Sequence, residues 1–139
     1  MVELALMLPI LVFLLLGGTD IARAYAAQLA VQNGARAGAE SAALDRTPHS
    51  SEAEQHAKEE MDRTPGINST NATVTTTFTL ADGVTPCTGQ TTTDLPGTST
   101  YTVPCYANVR VRYTFRTITP WPGLPNTFNF DRSTRYRRF

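Results

Sequence analysis

Few side chains in this sequence are placed to do chemistry, and each points to a covalent or electrostatic bond rather than to turnover. Cys87 and Cys105 are its two cysteines, both beside turn-forming residues in a Thr-rich stretch behind an apolar segment. That setting predicts an oxidising compartment and a Cys87–Cys105 disulfide. Closing a loop of that length is worth roughly 3 kcal/mol by the loop-entropy model. Glu3 is a carboxylate at the tip of an apolar run, where burial without a partner costs several kcal/mol. Two roles are open to it. It can sit solvated in a headgroup region, favoured by the helix dipole, or it can pair with an amine on a neighbouring subunit. Asp20 and Arg23 are the only charges between Leu4 and Ala35. At a spacing of three they share a helix face and partly neutralise each other.

Other chemistries are poorly supported. His49 and His56 have no cysteine nearby and no carboxylate spacing that makes a metal site. Glycine-rich phosphate loops, HExxH, CxxC and a Ser/His/Asp arrangement are missing from the sequence, so the expectation is a protein without enzymatic activity, metal or cofactor. Asn68-Ser69-Thr70 and Asn71-Ala72-Thr73 are glycosylation sequons at Asn68 and Asn71, although the dense threonines are an alternative target for glycans. Arg110, Arg112, Arg116, Arg132, Arg135, Arg137 and Arg138 crowd the last third of the chain. Such a cluster invites a nucleic-acid reading, but lysine occurs only at Lys58 and no aromatic-studded basic surface accompanies it. Contact with the acidic Glu52, Glu54, Glu59, Glu60 and Asp62 of a neighbouring subunit is preferred, through Arg110, Arg112 and Arg116. A solvated surface and a polyanion site are the alternatives.

The elements that must position these residues follow from the patterning. Leu4–Leu16 is a nearly pure apolar run, too short alone to span the roughly 20 residues a bilayer needs. Beyond Gly17 and Gly18 the chain continues as an Ala-rich helix without a stop signal. A cleaved signal peptide fits poorly, because no Lys or Arg precedes the run and Glu3 heads it. Pro9 is expected to kink or loosen the helix. The small residues Ala22, Ala26, Ala27, Ala30, Gly34, Ala35, Gly38 and Ala39 form a track suited to packing against other helices in an apolar medium. Pro48 disfavours helix at Thr47 and closes the segment. SSEAEQHAKEEMDR then predicts a short surface helix packing through Ala53, Ala57 and Met61, with a Ser51–Glu54 capping box and a Glu54–Lys58 pair. From Ile67 the period becomes alternating. ATVTTTFTL puts Val74, Phe78 and Leu80 on one face and threonine on the other, and NVRVRYTFR alternates Val109, Val111, Tyr113 and Phe115 with arginine. A Gly/Thr/Pro-rich excursion fills Ala81–Thr100. Pro120, Pro122, Gly123 and Pro125 turn around Trp121, and a last strand over Asn126–Phe139 alternates Phe128 and Phe130. The fold class expected is α+β, with three or four antiparallel strands packed on the second half of the long helix, because so small a sheet needs backing. The corresponding divisions are 1–47 (long N-terminal helix, its first part apolar enough for a membrane), 48–66 (short surface helix and linker) and 67–139 (β domain with the disulfide).

The N-terminal stretch also resembles the TadE-like family, the pilin and pseudopilin relatives of tight-adherence secretion systems. The resemblance rests on Val2-Glu3-Leu4-Ala5, Leu8-Pro9, Asp20 with Arg23, and Asn33-Gly34-Ala35-Arg36-Ala37-Gly38-Ala39, and covers about the first 43 residues. A basic leader and a small residue precede the processing site in that family, and neither stands ahead of Glu3 here. The resemblance implies a structural subunit of a type IV pilus-like adhesive filament. It would insert in the cytoplasmic membrane, meet the pilus assembly machinery and a prepilin-type peptidase, and polymerise with copies of itself outside the cell. Assembly would then involve Glu3, Pro9, Asp20 and Arg23, and nucleic acid would not be a partner. The alternatives are a minor pseudopilin and a single-pass anchored binding domain that does not polymerise.

Overall fold

In a computed structural model, described over residues 2–44, 50–87, 104–120, 123 and 125–138, the apolar and the Ala-rich segments form one helix. This α1 (Val2–Leu44) runs uninterrupted through Pro9, Gly17 and Gly18, a length of about 65 Å at 1.5 Å per residue. Pro9 lies inside the helix without ending it, at the cost of the backbone donor that proline lacks. α2 (Ser50–Asp62) follows. Ser51 therefore lies inside the helix rather than before it, and does not serve as its cap. Pro48, Thr47 and His49 lie outside the described residues, as do Trp121, Pro122 and most of the excursion between the cysteines.

A single 3-10 turn (Ser69–Asn71) leads into an antiparallel sheet of β1 (Ala72–Thr79), β2 (Tyr106–Arg116) and β3 (Thr127–Arg137), in the order β1-β2-β3. The long strand β2 is central, with Val74 opposite Val111 and Val111 opposite Arg132. Alternation does its work most fully there: Ala107, Val109, Val111, Tyr113 and Phe115 are buried while Arg110, Arg112 and Arg116 face out. β1 departs from its expected pattern at two positions. Thr76 shares the apolar face, its Oγ1 buried without a hydrogen-bond partner, and Leu80 lies past the strand in a turn closed by its amide on the Thr85 carbonyl (2.8 Å).

The core joins all three segments. Ala27, Val31, Ala35, Ala39 and Ala42 of α1 meet Ala53, Ala57 and Met61 of α2 and the inner face of the sheet in one cluster. Two glycines set how closely α2 approaches. A Cβ on Gly34 would stand 2.7 Å from the Met61 side chain and 2.8 Å from the Ala57 carbonyl oxygen. One on Gly38 would stand 2.8 Å from the Ala53 carbonyl oxygen and 3.1 Å from Val109. The small-residue track thus packs within the subunit from Ala27 onward, and not against other helices in an apolar medium, because the chain folds its own α2 and sheet back onto it. Cys87 and Cys105 form the disulfide, their Cα atoms 6.0 Å apart, with Cys105 buried.

Candidate functional site

The candidate site is the lower part of α1: the apolar tip and the charged turn on which the folded head rests. From Glu3 to Leu15 every residue is exposed, with Leu4, Leu11 and Leu15 at 73%, 63% and 71%. Glu3 at the end of this run is likewise exposed. The helix is long and apolar enough to cross a membrane by length and composition.

The first buried residue of the described helix is a carboxylate. Asp20 is only 5% exposed. Its Oδ1 accepts the Ile118 amide at 3.0 Å and its Oδ2 accepts the Thr119 amide at 3.3 Å. Arg23 donates to Oδ1 at 3.3 Å, so the spacing of three does pair the two side chains. Arg23 also lies 5.3 Å above the ring of Phe115, a cation–π distance. Asp20 therefore fastens the turn after β2 to the helix. Sequence alone supplied the Asp20–Arg23 pair but not the two amides, which lie almost a hundred residues away.

Apolar grooves flank this clamp on both sides of α1. One, of about 520 Å³, is lined by Ile21, Tyr25, Phe115, Pro125, Phe128 and Phe130. The other, of about 600 Å³, runs along Leu14, Leu15, Gly18 and Ala22 to Pro65 and Ile67. A Cβ on Gly18 would meet nothing within 4 Å, unlike those on Gly34 and Gly38.

The arginines do not form one basic face. Arg110 and Arg112 both reach Asp131 across the strand pair, Arg110 in a two-pronged contact with Nε at 2.8 Å and Arg112 with Nε at 3.2 Å. Asp131 went unnoticed in the sequence, since only the register places it opposite Arg112. These bonds hold the Asp131 carboxyl below its usual range and push the Arg110 guanidinium up. Arg116 has no acidic partner among the described residues. Arg132 lies on the helix side of the sheet, sharing a groove with Arg36. Arg138 is buried, its guanidinium 5.0 Å from the Phe78 ring.

The acidic helix is also partly engaged. Asp62 accepts both the amide (2.8 Å) and the hydroxyl (2.7 Å) of Ser69, and these bonds lower its pKa. Asn68 uses its side-chain oxygen to accept the Thr70 amide (3.0 Å) and hydroxyl (2.6 Å), capping the 3-10 turn, while Asn71 is exposed. His56 sits 3.7 Å from Glu59. Among the described residues no group of three or more His, Cys, Asp or Glu side chains could hold a metal ion.

No curated protein and no solved structure matches the chain. The family model described as TadE-like protein matches residues 1–40, which take in the exposed run, Pro9 and the Asp20–Arg23 pair. Residues 1–40 of the chain are thus similar to the TadE-like family, along the helix whose upper part the head grips.

Proposed function

We propose that this chain is a structural subunit of an extracellular type IV pilus-like filament, anchored in the membrane before assembly and packed through α1 afterwards. The observation that carries the reading is the bare run. The apolar helix surface from Leu4 to Val12 is exposed in its own subunit, and water around it costs about 25 cal/mol per Å². A bilayer covers it in the anchored state, and the helices of other copies cover it in a filament. Glu3 then exchanges a solvated headgroup setting for a cationic partner, because an unpaired carboxylate in that core costs several kcal/mol. Gly18, which its own fold leaves open, permits close helix approach there. On the head, Arg116 and the outer edges of Arg110 and Arg112 are among the exposed cations open to the acidic α2 of a neighbour.

Electron microscopy of sheared surface material, with mass spectrometry of its main protein, tests the reading alongside a Glu3→Ala variant. Wild-type fibres built of this chain, lost in the variant while the anchored monomer persists, are the expected outcome. A normal yield of fibres from Glu3→Ala would sink the Glu3 pairing. Chain found only in membrane fractions would replace the filament with an anchored binding domain.

A further inference from the structure

The Asp20 clamp fixes the height of the head along α1, and that height has a consequence for the anchored state. From Leu4 to Asp20 the helix rises about 24 Å at 1.5 Å per residue, less than the roughly 30 Å of a bilayer's hydrocarbon core. With Glu3 held at one surface, Asp20 sits at or inside the opposite boundary. Any tilt lowers it further. Ile118, hydrogen-bonded to Asp20 at 3.0 Å, must sit at the same depth.

The base of the head is built for that depth. Ile118 is 64% exposed, and Ile21 and Tyr25 on the adjoining turns of α1 are similarly bare. Pro125 and Phe128 continue the surface beside the first groove, and Pro65 and Ile67 continue it beside the second. Asp20 is a buried negative charge at this level, and its oxygens accept from Arg23 and two backbone amides. Arg23 keeps enough exposure to reach toward headgroups along its aliphatic stem.

We propose that the base of the head, centred on Ile118 and Phe128 with Pro65 and Ile67 across the helix, is a bilayer-contacting surface that rests in the headgroup–acyl boundary of a phospholipid membrane while the chain is anchored. The inference rests on the membrane-anchored stage of the function proposed above, and not on polymerisation. The partner is lipid because the exposed Ile118, Ile21 and Phe128 of the base continue the apolar helix surface below them. The grooves beside Asp20 receive acyl chains or headgroup glycerol at that level.

The test uses the full chain in vesicles of phosphatidylcholine and phosphatidylglycerol with brominated acyl chains. The chain's single tryptophan, Trp121, is replaced by phenylalanine, and one tryptophan is returned at Ile118 (I118W), at Leu11 (L11W) or at Thr75 (T75W) on the outer face of the sheet. The expected result is loss of I118W fluorescence to bromines near the headgroup end of the chains. L11W should respond most to deep bromines, and T75W to none. If L11W is quenched but I118W is quenched no more than T75W, the head stands clear of the bilayer or a second copy covers its base, and the proposal is overturned while anchoring stands. An unquenched L11W overturns the anchoring itself and the proposal with it.

Discussion

The two halves of α1 are one continuous helix with opposite solutions to the same problem. Below Asp20 the helix is leucine-rich and every residue from Glu3 to Leu15 is exposed. Above it the helix is built of alanine and glycine, and Ala27, Val31, Ala35 and Ala39 are fully buried. Large side chains make a surface that many kinds of apolar neighbour can cover. Small ones allow the close approach of one particular neighbour, here α2 and β2. The lower half is exposed and is the part the proposed filament function uses, while the upper half is committed to its own head. Asp20 marks the border, since it is the first buried residue of the described helix.

The largest effect should come from breaking that border. Asp20→Ala removes the acceptor of two backbone amides, and leaving such donors unpaired costs about 2–4 kcal/mol. Hydrogen exchange should speed up at Ile118 and Thr119 in the detergent-solubilised chain, while the amides of Val109 and Val111 in the middle of β2 change much less. Unchanged exchange at Ile118 would show that the clamp does not hold the turn.

Paired glycine substitutions sharpen the contrast between the halves. Gly38→Ala places a methyl 2.8 Å from a backbone carbonyl oxygen, so overpacking of about 1–3 kcal/mol outweighs a helix-propensity gain of about 1 kcal/mol. Gly18→Ala meets nothing and keeps the propensity gain. Denaturant unfolding should therefore move in opposite directions for the two variants. A matching shift in both would mean that α2 yields easily.

Acid should act on the head alone. Asp62, Asp82 and Asp131 have carboxyls lowered from 3.8, by Ser69, by Thr85 with the Val84 and Thr85 amides, and by Arg110 with Arg112, respectively. A carboxyl whose folded pKa lies below its unfolded value contributes stability above the unfolded value and loses it as pH falls through the folded one. Circular dichroism of the β signal should therefore weaken as pH drops below about 4, while the helical signal of the lower half of α1 persists. These groups are exposed, so each effect is modest.

The apolar run, the pairing of Asp20 with Arg23, the burial of Ala53, Ala57 and Met61, and the alternation of β2 were all readable from the chain. Each is a short-range periodicity that a single helix or strand enforces on its own. β1 was readable only in part: strict alternation puts Thr76 on the face of Val74 and Phe78, although its residue type looks solvent-facing, and Leu80 falls past the end of the strand. The destination of the arginines was not readable at all. Arg110 and Arg112 look free in sequence, and only the pairing of β2 with β3 brings Asp131 to them.

Sequence by itself determined that this protein has an apolar helix, a disulfide-bearing β head and a charged pair between them, because composition and period act locally. Tertiary structure decided which half of the helix is left bare. That choice depends on where α2 and the sheet fold back, and Gly34 and Gly38 admit them closely while the leucines below leave no such seat. It also turned Asp20 from one member of a helix-face pair into the anchor of a turn almost a hundred residues distant, since only folding brings two unpaired backbone amides to a carboxylate.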